Sequence, residues 1–329
     1  MVKCPMDIID QFSVNRPRRI KMTGRNGLFS RINRKINTMK TLLYATDCSP
    51  NAIPALLYAY HISKTMKARL VVTYVFQHPE LLGLQGGNEL APMSEEKALE
   101  HYYERLENFC SEHLGPQWRS RNILIEPISG KSVVKGIISK AMDWRAYFIV
   151  VGITGDNPLR DFIVGSTTKL LINKAPCPVL AIPSEIGYET LQTIVYASDF
   201  EDGDVYAIRR LAEMAEPFGA KIIVVHVSRD VAHVGDNRMN LLKERIQKKV
   251  SYPNISYKLI FSDKVFETLQ HTLGDLKANL VVMLERDKGG WAEQWLHRDL
   301  VKRMETKTEI PLLSFREGNH QLSYVKATL

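Results

Sequence analysis

No stretch of this chain approaches the ~20 consecutive apolar residues that a membrane-spanning helix needs. Its apolar runs, such as Tyr147 to Val151, have the length of buried strands. Cysteine is scarce: four in 329 residues (Cys4, Cys48, Cys110, Cys177), with no CxxC pair and no Cys/His cluster. That excludes a disulfide framework and a structural zinc site, and points to a reducing, cytoplasmic compartment. No apolar core follows the basic start, which argues against a secretory signal. The body of the chain also lacks any excess of charge. The net charge is +8, but residues 1–40 hold ten Lys/Arg and two acids, so residues 41–329 carry 34 basic and 34 acidic side chains. A neutral body has no basic footprint for nucleic acid. With 45% hydrophobic and 24% charged residues, the chain is long enough for two ordinary cores.

Residues 1–39 show neither helical nor strand periodicity and read as a disordered basic extension. Met39 stands directly before the strand-like Lys40-Thr41-Leu42-Leu43-Tyr44. An over-extended start, with Met39 as the initiator, therefore competes with a basic arm for anionic surfaces. Asp7 and Asp10 disfavour a targeting peptide.

Internal repetition is the strongest organisational signal. Residues 41–76 and 193–228 align without a gap at an offset of 152. Each is an apolar strand ending in aspartate (Asp47, Asp199), a polar turn, an amphipathic helix and a second apolar strand. Further on, 146–151 (AYFIVV) resembles 278–283 (ANLVVM), and 178–182 (PVLAI) resembles 311–315 (PLLSF). Strands are expected near 41–46, 70–76, 122–128, 147–151 and 178–182, and near 193–198, 221–227, 255–261, 279–284 and 311–315. Short Val/Ile/Leu runs alternating with helices mean strands covered on both faces. The fold class is therefore α/β: two tandem flavodoxin-like or Rossmann-like domains, each a five-stranded parallel doubly wound sheet. The expected division is 40–183 and 191–316, joined by a short linker and followed by a polar tail at 317–329.

Ligands of such sheets bind beyond the carboxyl ends of the strands. In the first half Asp47 ends strand one and Val75 ends strand two. Gly152 and Gly155 follow strand four, then nine residues including Arg160, then Gly165-Ser166-Thr167 opening a helix. Glycines there permit close backbone approach and positive φ. A helix N-terminus offers unpaired N–H groups and a dipole that favours phosphate. The hydroxyls of Ser166 and Thr167 can cap the helix or bind phosphate oxygens, and Arg160 could fold over the phosphates.

The pattern Gly-x2-Gly-x9-Gly-Ser, here Gly152, Gly155, Gly165 and Ser166, resembles the nucleotide motif of the universal stress protein family. Tyr44-Ala-Thr-Asp47 resembles the family's first strand, and Ala175-Pro-Cys-Pro-Val179 its lead into the last strand. The resemblance is strong over residues 40–183 and weak over 191–316. It implies ATP, ADP or AMP as ligand, with or without Mg, an Asp47 contact to the adenosine portion and a Val75 backbone contact to adenine. It also implies pairing of domains along the last strand's edge, hence an intramolecular pseudo-dimer, with homodimerisation open.

In the second half Gly152 maps onto Leu284, Gly155 onto Asp287, and Gly165-Ser166 onto His297-Arg298, or one residue later if the insertion lies earlier. Leu284 would crowd the ribose and Asp287 would repel phosphate, so no ATP is expected there by this mode. Gly130-Lys131-Ser132 has the ending of a Walker A loop, but Ile125 occupies the place of its first glycine. No catalytic residue and no metal ligand set is nominated. The functional expectation is nucleotide-biased conformation or partner binding in a stress response, the protein partner being unidentified. A nucleotide-free interaction scaffold and a slow ATP hydrolase are the alternatives.

Overall fold

The computed structural model describes residues 39–77, 94–119, 122–153, 166–229, 232–285 and 310–317. The basic extension before Met39 and the tail after Glu317 lie outside these residues, and the expectations for them stay as sequence readings.

The chain opens with β1 (Thr41–Ala45), every residue of it buried. A tight turn and a short 3-10 segment at Pro50–Ala52 lead into α1 (Ile53–Thr65), whose Ala55, Leu56, Tyr58, Ala59 and Ile62 face the sheet. Next come β2 (Arg69–Thr73), β3 (Val75–Phe76), α2 (Glu95–Leu114), β4 (Ile123–Ile125), β5 (Ile128–Ser129) and α3 (Val133–Asp143). The half closes with β6 (Phe148–Ile153), α4 (Ser166–Lys174) and β7 (Val179–Pro183). The second half follows as β8 (Thr193–Ala197), α5 (Asp204–Ala215), β9 (Lys221–Ser228), α6 (Ala232–Lys249), β10 (Ile255–Phe261), α7 (Val265–Asp275), β11 (Leu280–Glu285) and β12 (Leu312–Arg316).

Ten of these strands form one sheet in the order β10-β9-β8-β11-β12-β7-β6-β1-β2-β4. Each half is parallel within itself, and the strand order of each half turns back beside its first strand. The two halves meet where β12 and β7 pair antiparallel, Leu313 opposite Leu180. Apolar side chains on successive residues point to opposite faces, so the buried inner strands feed two cores. One core joins Leu42, Tyr44, Leu56, Ile62, Ile194, Ile208 and Leu242, beneath α1, α2, α5 and α6. The other joins Leu43, Ile137, Leu171, Val195, Leu269 and Leu312, beneath α3, α4 and α7. This is the doubly wound arrangement expected from the strand pattern.

The repeat is visible in the backbone as well. Cys48 (φ 58°) and Phe200 (φ 59°), Lys67 (φ 51°) and Gly219 (φ 63°), and Arg145 (φ 46°) and Lys277 (φ 48°) take the left-handed conformation at corresponding points of the two halves. Two expected strands differ, since 122–128 is split into β4 and β5 and its neighbour 70–76 is split beside it. The run 70–76 is interrupted at Tyr74, and β3 pairs with β5 in a small separate sheet. At the interruption the Thr73 hydroxyl donates to the Glu126 carbonyl at 2.7 Å, taking an acceptor from the ladder. In the second half the equivalent β9 runs unbroken to Ser228.

Polar contacts tie the halves together beside the β7–β12 seam. Tyr147, ahead of β6, donates its hydroxyl to the Arg210 carbonyl (2.9 Å), and the Arg210 guanidinium donates back to the Tyr147 carbonyl (3.0 Å). Arg210 also lies over the Tyr147 ring at 4.8 Å, and Lys40 lies 4.4 Å from its centroid. In the linker, Tyr188 stacks on His61 at 4.2 Å and meets Tyr58 edge-on at 5.1 Å.

Candidate functional site

In the first half the strand order turns back between β1 and β6, and the crevice beyond their carboxyl ends is where doubly wound sheets take ligands. Asp47 lies just past β1 on this crevice. Its Oδ1 accepts the Ser49 N–H at 2.9 Å, and Thr46 Oγ1 accepts the Cys48 N–H at 2.9 Å. These side-chain turns let Cys48 hold its left-handed conformation and leave the exposed Asp47 carboxylate on the rim.

Val75 sits one strand away. The ladder between β3 and β5 uses Tyr74 and Phe76: Ile128 N–H donates to the Tyr74 carbonyl (2.8 Å) and Gly130 N–H to the Phe76 carbonyl (2.9 Å). In a parallel pair alternate residues turn their backbone groups to opposite sides. The Val75 N–H and C=O therefore face the other way, over the end of β1. They form an adjacent donor and acceptor on the crevice side.

Gly152 is the fifth residue of β6, opposite Ile182 of β7. Here the sequence expectation needs correction: Gly152 has no positive φ, because it remains inside the strand ladder. A Cβ added to it would lie 3.4 Å from the Asn51 carbonyl oxygen and 3.6 Å from the Ala52 Cα, ordinary contact distances. Gly152 thus keeps room beside the turn that leads into α1. Ser166 and Thr167 are the first two residues of α4, where N–H groups lack an intrahelical acceptor. Gly155, Arg160 and Gly165 fall outside the described residues.

Sequence reading missed the second wall of this rim. Arg105 of α2 donates to the Asp47 carbonyl at 3.1 Å and lies over the Tyr74 ring at 5.3 Å. Tyr102, one turn earlier, stacks on Tyr74 (4.7 Å) and on Phe76 (4.4 Å). α2 thereby fixes both the Asp47 loop and the end of β3. The partners are separated by 58 residues in the sequence, and no spacing rule links them. Between this helix and the loop lies a cleft of about 350 Å³ lined by Cys48, His101, Glu104, Arg105 and Asn108. Burial pushes the Cys48 thiol up to about 11 and the Cys110 thiol to about 12, so neither is a ready nucleophile. Among the described residues no group of three or more His, Cys, Asp or Glu side chains could hold a metal ion. None of the described helices is long and apolar enough to cross a membrane.

Among the described residues, the corresponding end of the second half carries larger and more polar side chains. Asp204 stands where Ala52 stands in the first half and is 1% exposed. Its Oδ1 accepts the Tyr196 hydroxyl (2.7 Å), and its Oδ2 accepts the Ser198 hydroxyl (2.6 Å) and the Glu201 N–H (3.2 Å). His226 Nδ1 bonds the Ser198 carbonyl at 2.7 Å, and the Phe200 ring lies 3.9 Å from the His226 ring. Leu284, at the place of Gly152, is 7% exposed and joins the core that holds Val205 and Phe315. Asp287, His297 and Arg298 lie outside the described residues.

Comparison with known proteins agrees with this architecture. Residues 38–183 match the model of the universal stress protein family. A universal stress protein of Methanocaldococcus jannaschii is 27% identical over 157 residues, which cover 44% of this chain and 94% of that protein. Two solved structures are similar across both halves: a universal stress protein from Archaeoglobus fulgidus DSM 4304 and a putative universal stress protein from Pseudomonas aeruginosa UCBPP-PA14. The first has a TM-score of 0.59 at 16% identity, covering 85% of this chain and 100% of its own. The second has a TM-score of 0.55 at 16% identity, covering 88% and 99%. At these identities the two structures speak to fold alone. Residues 38–183 are thus similar to the universal stress protein family, and the same α/β fold is repeated in the half that follows.

Proposed function

We propose that the first half binds an adenine nucleotide reversibly, and that occupancy of this one site biases the protein's conformation or its grip on a protein partner during stress. The carrying observation is the convergence of Asp47, the outward-facing Val75 backbone and Gly152 on the crevice between β1 and β6. In this reading the Val75 N–H donates to a ring nitrogen of adenine and its carbonyl accepts from the exocyclic amine. The Asp47 carboxylate accepts from ribose hydroxyls. Gly152 leaves space for the sugar and phosphates beside β6. The first N–H groups of α4, with the Ser166 and Thr167 hydroxyls, receive the phosphates, favoured by the helix dipole. Gly155, Arg160 and Gly165 complete the phosphate loop by sequence pattern. The second half, with Asp204, Leu284 and Phe200 in its crevice, serves as the structural counterpart. Regulation then requires that the nucleotide bind one state of the protein more tightly than another.

The test is native mass spectrometry of freshly purified protein with and without Mg-ATP, beside a Gly165→Asp variant. One nucleotide per chain, lost in the variant, is the expected outcome. Two per chain would overturn the assignment of the second half. None at millimolar ATP would sink the nucleotide reading and bring the scaffold reading forward.

A further inference from the structure

We infer that Gly136, in the first turn of α3, is the positioning residue that sets where the Val75 backbone stands, and through it the choice of base. This rests on the nucleotide reading above and adds a determinant of specificity to it.

A Cβ built on Gly136 would lie 2.8 Å from Val75 Cγ1, 3.1 Å from Cγ2 and 3.5 Å from Cβ. Gly130 lies under the same side chain, its added Cβ 3.5 Å from Val75 Cγ1. Val75 is thus seated on bare backbone where α3 crosses β3. A contact of 2.8 Å is not absorbed by a flexible tip, since valine is branched at Cβ and stiff at χ1. Either Val75 moves outward or α3 lifts. The first of these shifts the Val75 N–H and C=O that face the crevice, and the second takes away the surface on which Val75 is seated.

The second half supplies a comparison within the same molecule. Val227 pairs with Ile260 as Val75 pairs with Ile128. Ser262 N–H donates to the Ser228 carbonyl (2.9 Å) as Gly130 N–H does to Phe76 (2.9 Å). Carried along this register, Ser262 and Thr268 stand where Gly130 and Gly136 stand, and their hydroxyls bond each other at 2.8 Å. The half with the glycine-rich phosphate motif has two glycines under its valine. The half without the motif has two side chains there.

A backbone donor and acceptor on one residue read the edge of a base by position. Adenine presents a donor at its 6-position and an acceptor at the neighbouring ring nitrogen, and guanine presents the reverse. Displacing Val75 misaligns the adenine pair while the contacts to ribose and phosphate remain.

The experiment is calorimetric titration of ATP and GTP into the full chain, as wild type, Gly136→Ala, and Val75→Ala/Gly136→Ala. Circular dichroism and thermal melting of each report folding. The wild type is expected to prefer ATP. In Gly136→Ala, ATP affinity should fall by about tenfold, the worth of one misplaced hydrogen bond, and the ATP-to-GTP ratio should fall with it. Removing the valine methyls relieves the contact, so the double variant should regain ATP affinity to within about threefold of wild type. If Gly136→Ala does not fold, the folded double variant decides alone: ATP binding supports the inference and its loss overturns it. Unchanged ATP affinity in Gly136→Ala overturns the inference and leaves the nucleotide reading intact. So does an equal loss of both nucleotides, or a loss that Val75→Ala does not repair. A wild type that binds neither nucleotide overturns the nucleotide reading itself.

Discussion

Replacing Asp204 by asparagine should remove a pH dependence of stability that this one buried group imposes. The carboxylate lies at the start of α5 beneath the β8–α5 turn and is 1% exposed. Burial is the largest influence on it and disfavours its charge. Hydrogen bonds from Ser198, Tyr196 and Glu201 work in the opposite direction, and the nearby negative charge of Asp199 adds to burial. The balance pushes Asp204 up from 3.8 to about 6. The folded state therefore holds this proton more tightly than the unfolded chain does. The associated stability is fully present below pH ~4 and is lost as pH rises through about 6. A shift of about two units corresponds to ~3 kcal/mol of folding free energy. Asparagine keeps an oxygen for the Tyr196 hydroxyl but carries no titrating charge, and its altered contact with the Glu201 N–H is a pH-independent offset. Urea unfolding of wild type and Asp204→Asn at pH 4, 5, 6, 7 and 8 isolates the effect as a difference between the two proteins. Wild-type stability should fall relative to the variant by ~3 kcal/mol between pH 4 and 7, then level. A flat difference, or one that favours the wild type as pH rises, would refute the reasoning.

Three further outcomes follow from the same structure. Arg210→Ala truncates a residue that is 7% exposed and removes its guanidinium bond to the Tyr147 carbonyl; urea unfolding should show a loss of ~2 kcal/mol, and an unchanged midpoint would mean that the inter-half contact adds nothing. Gly152→Leu, which copies Leu284, should retain the circular dichroism of the fold and lose bound nucleotide in native mass spectrometry. In a Cys4→Ser background, a thiol-disulfide reagent at pH 8 should react slowly with Cys48, Cys110 and Cys177, which burial pushes to about 11, 12 and 12; three thiols should appear promptly only after denaturation.

The strands were legible because a sheet covered on both faces needs continuous apolar runs, and 41–45 and 221–228 supply them almost to the residue; the edge strand 255–261 was found although Ser256 and Lys258 interrupt its apolar residues. Their grouping into two halves was legible from the aligned repeat, since equal spacing places Asp47 and Asp199 at equivalent strand ends. The break at Tyr74 was not legible, because its cause is a hydroxyl-to-carbonyl bond between residues 53 apart. Arg105 and Gly136 escaped for the same reason: one meets Asp47 and the other meets Val75 only after α2 and α3 have packed. Gly152 illustrates the opposite error. A glycine beside a phosphate motif invites an argument from unusual dihedrals, whereas the strand ladder keeps this residue extended beside the turn that leads into α1. Asp204 sat in the aligned repeat opposite Ala52, but its burial depended on Tyr196 and Ser198 arranging donors around it.

The antiparallel junction of β7 and β12 has a consequence during synthesis. β7 is complete at Pro183, but the strand that covers its outer edge begins 129 residues later, at Leu312. At ribosomal speeds of about 5–20 residues per second, the nascent chain carries an open, apolar strand edge for on the order of ten seconds. Such an edge is a template for pairing with whatever strand is nearby, including the same segment of a neighbouring chain on the same message. The seam that unites the mature protein is therefore also its most exposed moment of assembly. Slowing synthesis between the two halves should increase the demand for chaperones more than an equal delay placed after β12.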